Sequence, residues 1–271
     1  MRGWWREIAG LVLPVACGGC GRPRTELCPS CRAELTDRGP RRVRPLPEPA
    51  GLPRVHAAAP YADAVRSVLL AHKERGVLSL AGPLGSALAG AVEAAVGHCD
   101  GPGALPLLLV PVPSSPRSVR ARGHDPTRRI ALAAAGRLRR RGRAARVIPV
   151  LRQRRGVADQ SGLTAHARFA NLAGALEVVG GGARLVERGR VVLVDDLMTT
   201  GASLAEAARA LGAVHPPFIS GSGWGAGSGA GGGGSESRFV RPAAAVVACS
   251  PSSFDINRNR LASCIVAGDE R

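Results

Sequence analysis

The segment Val191-Val-Leu-Val-Asp195-Asp196-Leu-Met-Thr199-Thr200-Gly201-Ala202-Ser203 constrains the fold of this chain more than any other. Four apolar residues run into two adjacent acids, then a short loop of hydroxyls and glycine, then a stretch, Ser203 to Leu211, that reads as a helix. A loop entering a helix presents backbone N–H groups without intrahelical partners, at the positive end of the helix dipole. Thr199, Thr200 and Ser203 add hydroxyl donors, and Gly201, followed by Ala202, permits close backbone approach. Together they suit a phosphate. Acids at the carboxyl end of a strand can accept hydrogen bonds from two neighbouring sugar hydroxyls, and ligands of open α/β sheets bind at that edge. A sugar 5-phosphate with two free hydroxyls satisfies both halves.

The flanking sequence supports an α/β fold with a mainly parallel sheet. Leu105 to Val112 is a continuous apolar run ending in Pro-Val-Pro, as expected of a buried central strand. Val55 to Ala59, Arg146 to Val150 and Ala243 to Ala248 are further strand candidates. Helices are expected over Tyr61 to His72, about Leu84 to Val96, and Asp125 to about Arg141. Arg152 to Asn171 is polar, basic and rich in breakers, and reads as a long loop. The organisation expected is a small module over 1–35, a Pro- and Arg-rich linker over 36–54, the main domain over 55–219, a flexible Gly/Ser-rich insertion over 220–238, and a last strand with a tail over 239–271.

Four of the seven cysteines form Cys17-x2-Cys20-x7-Cys28-x2-Cys31. Two CxxC pairs joined by a short loop suit a tetrahedral Zn(II), and four thiolates leave no open position, so the metal is structural. Disulfides are the alternative and would require export. Arg2, Arg6, the apolar run from Ile8 to Ala16 and Cys17 resemble a short signal peptide. Against export, Pro14 lies where a lipoprotein signal usually has leucine, and lipidation would take Cys17 from the metal. Trp4, Ile8, Leu11 and Val12 fall on one helical face, favouring a docked amphipathic helix in a cytoplasmic protein. Cys99, Cys249 and Cys264 read as buried or idle thiols.

The 271 residues carry a formal net charge of +17, almost all from arginine, with Lys73 the only lysine. Such a surface concentrates anions, phosphates and nucleic acids alike. Aromatics at 3% argue mildly against stacking on single strands. No apolar run reaches the ~18 residues a membrane span needs. The cluster of Arg137, Arg139, Arg140, Arg141 and Arg143 reads as a solvated helix end or a nucleic-acid contact, and His72, His166 and His215 have no nameable partner.

The Val191–Ser203 segment closely resembles the phosphoribosyl pyrophosphate (PRPP) motif of type I phosphoribosyltransferases. The cysteine-rich start, Lys73-Glu-Arg75-Gly76 and Pro111-Val-Pro113 resemble the ComF family. So does Arg120-Ala-Arg122-Gly123-His-Asp125-Pro, where His124 replaces the family's aromatic, and so does the spacing of Gln160, Leu163, Arg168 and Asn171. The resemblance implies a type I phosphoribosyltransferase fold with a small N-terminal zinc-ribbon-like module. It implies that Asp195 and Asp196 hold the ribose hydroxyls and that Pro113, Ser114, Ser115 and Arg117 face the pyrophosphate with Mg(II). Arg152 to Asn171 would form a lid. Lys73, Arg120, Arg122, Gln160 and Arg168 would be lid or basic contacts, each with a solvated charge or polar group as the plainer reading. His215 to Ile219 is not a typical strand, so the family's usual strand there is degraded or displaced.

Two functions follow as expectations. One is a PRPP-dependent transferase whose acceptor the sequence does not identify. The other is a nucleic-acid-binding accessory factor in DNA uptake, with single-stranded DNA and a ComF-type helicase as partners and PRPP or a related nucleotide as ligand.

Overall fold

The computed structural model describes residues 15–97, 104–154, 172–214 and 242–254. A six-stranded sheet runs in the order β1-β2-β8-β7-β3-β4. Its strands are β1 (Arg41–Val43), β2 (Arg54–Pro60), β3 (Leu107–Pro111), β4 (Ala145–Val147), β7 (Arg190–Met198) and β8 (Ala243–Cys249). Five are parallel, and β1 closes the β2 edge antiparallel. β5 (Leu151–Gln153) and β6 (Leu176–Val178) form a separate antiparallel pair.

Every residue of β3 and β8 is buried, as expected of central parallel strands covered on both faces. Leu107, Leu109, Val192 and Val194 face one core with α1 (Pro29–Thr36), α2 (Asp63–Lys73), α3 (Ala81–Val96) and α5 (Pro126–Arg140). Leu108, Val110, Val191 and Leu193 face the other, with α6 (Gly182–Val186) and α7 (Ala202–Val214). The short α4 (Pro116–Arg122) lies between β3 and α5.

The crossover from β3 through α5 to β4 runs over one face, and that from β7 through α7 to β8 over the other. The boundary between β3 and β7 is therefore a topological switch point, where the carboxyl ends of the strands open a crevice.

The structure departs from the sequence expectations in several places. Within the expected linker, Arg41–Val43 adds a strand to the sheet, and residues 29–36 form α1. The module carrying Cys17, Cys28 and Cys31 is not separate: these side chains share one hydrophobic core with Leu35, Val68 and Leu84. The segment Leu78–Val96 is long and apolar enough by length and composition to cross a membrane, and 56% of its apolar window is buried here against the rest of the fold. It passes that test without an unbroken apolar run because glycine, serine and one glutamate dilute it. The N-terminal amphipathic helix, the Gly/Ser-rich insertion, the tail beyond 254, Cys99, Cys264, His166 and His215 lie outside the described residues.

Candidate functional site

β7 is longer than expected and carries Asp195 and Asp196 within its last four residues before Met198. Pairing with β8 continues through Leu197↔Ala248 and Met198↔Cys249, which keeps this end extended. On the other side β3 stops at Pro111, opposite Val194, and the last contact is the Val112 N–H donating to the Val194 carbonyl at 2.9 Å. The acids thus lie beyond the end of β3, at the mouth of the crevice, with Pro113, Ser114 and Ser115 leaving β3 beside them.

The two carboxylates differ. Asp196 is buried and accepts from Lys73 Nζ at 2.7 Å. Burial alone would raise its pKa, but the charge and hydrogen bond of Lys73, with the side chain of Asp195 and the Leu197 N–H, hold it below the usual carboxylate value. Lys73 is in turn held above the ordinary ammonium value by Asp196, against its own burial. Asp195 is half-buried; its Oδ1 accepts from the Asp196 N–H at 2.8 Å and, more distantly, from the Thr127 hydroxyl at 3.5 Å. Burial first, and the charge of Asp196 second, push Asp195 well above the usual range. One acid is a fixed anion paired with a lysine, and its neighbour is inclined to hold a proton.

After Met198 the chain turns through Thr199, Thr200 and Gly201, with Gly201 at φ +76°, into α7. A side chain at Gly201 would be strained by that φ and would approach Leu52 Cδ1 to 3.0 Å and Pro45 Cγ to 3.3 Å. Thr200 Oγ1 accepts from the Ala202 N–H at 3.4 Å, and Ser203 is the second residue of the helix. Beside this turn lies a cavity of about 230 Å³, walled by Thr199, Thr200, Ser250, Ser252, Ser253 and the 45–47 loop. Hydroxyls dominate its polar wall.

The basic residues divide. Arg122 donates to Glu74 at 3.0 Å next to Lys73, while its Nε is buried without a hydrogen-bond partner among the described residues. Arg117 and Arg120 are exposed on α4, and Ser115 caps that helix by accepting the Ser118 N–H at 3.0 Å. Gln160 and Arg168 lie outside the described residues, as does most of the expected lid. Its first two residues, Arg152 and Gln153, belong to β5.

His72 is fully buried, with Nδ1 3.2 Å from the Val77 carbonyl and its ring edge-on to His124 at 5.7 Å. Burial lowers its pKa. His124 has its two ring nitrogens 3.1 Å from the carbonyls of Arg122 and His72. His124 thus ties the α4–α5 junction to the end of α2 that carries Lys73.

Sequence reasoning missed Thr127 and Ser250–Ser253. The Asp125-Pro126 start of α5 gave a signal for Thr127: Asp125 caps the helix, accepting the Arg128 N–H at 3.0 Å, and Thr127 follows in the first turn. For the serines the signal was their position just after the last apolar strand.

The four sulfurs of Cys17, Cys20, Cys28 and Cys31 lie within 4.8 Å of one another and could hold a metal such as zinc. Tetrahedral zinc with Zn–S bonds of about 2.3 Å sets sulfurs about 3.8 Å apart, and Cys20 Sγ and Cys28 Sγ are separated by 3.7 Å. Burial would raise the Cys17 thiol, but the N–H groups of Cys28, Cys20 and Gly19 outweigh it and bring it to about 6, favouring the thiolate a metal needs. Burial raises Cys31, which in this cluster is the thiol that would yield its proton to the metal. A side chain at Gly19 would meet Cys31 Sγ at 2.6 Å, so only glycine fits there. Cys249 is buried, as the sequence suggested.

A scan against models of known protein families gave no match, and a search of curated proteins gave none. What stands is the architecture: a mixed α/β fold with a mostly parallel six-stranded sheet flanked by helices, and an N-terminal cysteine cluster docked on it.

Proposed function

We propose that this chain binds PRPP at the carboxyl end of β7, as a phosphoribosyltransferase-like protein of the ComF kind. The observation that carries the reading is the acid pair at the crevice between β3 and β7, running directly into the Gly201 turn and α7. In this reading the turn, with Thr199, Thr200 and Ser203, holds the 5-phosphate at the start of α7. Asp195 and Asp196 accept from the ribose hydroxyls. The raised pKa of Asp195 makes its acceptor strength, and so its hold on a hydroxyl, dependent on pH. Pro113 to Arg117 face the pyrophosphate, and Arg122 and Lys73 supply positive charge where charge grows on the leaving group.

Mg(II) suits the oxygens of PRPP. Asp196 is already paired with Lys73 at 2.7 Å. Mg(II), if bound with the ligand, would supply charge neutralisation for the pyrophosphate beside Pro113 to Arg117. Cys17, Cys20, Cys28 and Cys31 would hold Zn(II), which would serve a structural role there.

The test is an incubation with Mg-PRPP and a panel of purines, pyrimidines and amines, read by pyrophosphate release. Release that disappears in Asp195→Asn/Asp196→Asn supports the transferase. Binding of PRPP without release from any acceptor supports a ligand-binding role.

A second reading, nucleic-acid binding, is favoured by one observation. Residues 116–147 contain eleven arginines and a single acid, Asp125. Arg117, Arg120, Arg128, Arg129, Arg137 and Arg140 are exposed there. Affinity for single-stranded DNA that falls steeply with salt would support it, and no binding at low salt would remove it.

A further inference from the structure

Behind the Gly201 turn lies a second and larger cavity, of about 850 Å³, between the 42–55 segment and the flank of α7. Leu52 and Pro45, packed against Gly201, separate it from the hydroxyl-lined cavity, and the two share no lining residue. Its volume falls in the range of sites that enclose small molecules. Val43, Leu52, Val55, Leu172, Ala205 and Ala208 give it apolar walls. The apolar side chains that α7 presents to it, Ala202, Ala205 and Ala208, are small.

Its charges are unbalanced. Arg42, Arg44, Arg54 and Arg209 line it against Glu48 and Glu206. Glu206 is fully engaged, accepting from Arg209 at 2.7 Å and from the Leu176 N–H at 2.9 Å, whereas Glu48 makes only a loose, exposed contact with Arg44 at 3.6 Å that leaves the arginine able to meet an anion. Arg54 has no ion-pair partner among the described residues. Arg42 is lowered from the ordinary guanidinium value, by burial first and then by the repulsion of Arg44 and Arg54. Apolar walls beneath a surplus of guanidinium groups match a ligand that combines the same two features.

We propose that this cavity is a binding site for a small anionic molecule with an apolar body, its anion held by Arg44 and Arg54 and its body lying on Ala205 and Ala208. The site is independent of the phosphoribosyl reading. It has a built-in link to the Gly201 turn, because Leu52 is a wall of the cavity and also the back of that turn.

The probe is 8-anilinonaphthalene-1-sulfonate, with the uncharged N-phenyl-1-naphthylamine as its partner, each titrated by fluorescence into the full chain. The sulfonate is expected to saturate at one site and to bind at least about tenfold tighter than the neutral compound, since guanidinium–anion contacts are charge-assisted. Arg44→Ala/Arg54→Ala should weaken the sulfonate about tenfold and leave the neutral compound unchanged. Ala208→Phe, which fills the α7 side of the cavity, should abolish both, with zinc content and thermal melting as controls of folding. If Ala208→Phe fails to fold, the arginine variant decides. Equal affinity for the two probes, no effect of the arginine variant, or competitive displacement of the sulfonate by Mg-PRPP would each overturn the proposal. The last outcome would place the probe at the phosphate turn instead.

Discussion

Asp195 and Asp196 are neighbours in sequence with opposite electrostatics, and each makes its own prediction. Asp195 has a folded pKa above its unfolded value of about 3.9. Its ionisation therefore costs folding stability, nothing below about pH 4 and progressively more as pH rises through the folded value. Asp195→Asn should melt higher than the wild type at pH 8, by about 2–4 °C for each 1 kcal/mol relieved, and the gain should vanish near pH 4. Asp196 is the reverse: its folded pKa is lowered, so it stabilises above the unfolded value, and that is lost as pH falls through the folded one. Removing its cation with Lys73→Met should cost about 1–3 kcal/mol by urea denaturation at pH 7, less than for a fully buried pair because Lys73 keeps part of its side chain in solvent. Adding Asp196→Asn should recover most of the loss. The acids were legible in the sequence because a polar pair at the end of an apolar strand is anomalous. Their partners were not: Lys73 lies 123 residues from Asp196 and Thr127 lies 68 from Asp195, separations that only the packing of α2 and α5 against the sheet closes.

Among the elements, the long apolar ones were legible and the short ones were not. β3, β7, β8, α3 and α5 carry enough continuous or periodic burial to declare themselves. β1, β5 and β6 have three residues each, too few for an alternation to register, and β1 is two arginines and a valine. They exist because tertiary partners take their backbone groups. β6 is an example: Glu206 accepts the Leu176 N–H at 2.9 Å and Arg209 donates to the Leu176 carbonyl at 3.0 Å, so two side chains of α7 occupy both backbone groups of one residue. The crossing of α3 over α5 depends on Gly85, where an added Cβ would approach Ala133 Cβ to 2.5 Å and the Ala134 backbone to 2.8 Å. Gly85→Ala should destabilise by about 1–3 kcal/mol, through separation of the helices, although alanine is the better helix former. Chemical denaturation measures this directly, and an unchanged midpoint would mean the helices are not so closely packed.

At the scale of the molecule, the cysteine cluster and the sheet are one body. Cys17, Cys28 and Cys31 are continuous with the core that supports α2, and α2 carries Lys73 to the acids. Metal removal should therefore act on the site as well as on the cluster. Chelation is expected to release one zinc per chain, lower the melting temperature and weaken ligand binding together. Gly19→Ala should do the same, since its methyl group occupies the approach of Cys31 Sγ. Full binding by a metal-free chain would show that the cluster is independent after all. The zinc spacing was legible because four ligands in a short span are nearly a complete instruction. The continuity of its core with the sheet was not, because docking is decided by Leu27, Leu35 and Leu80, which read as ordinary apolar residues.

In the proposed function, the end of β7 and the Gly201 turn together hold a phosphorylated ribose. Calorimetric titration of Mg-PRPP into the folded, zinc-loaded chain and into Asp195→Asn/Asp196→Asn tests it most directly. The expected result is saturable one-site binding by the wild type, strengthening as pH rises through the titration of Asp195, and loss of binding in the variant. No binding by the wild type, or equal binding by the variant, would contradict the claim and leave the acid pair as part of the scaffold alone.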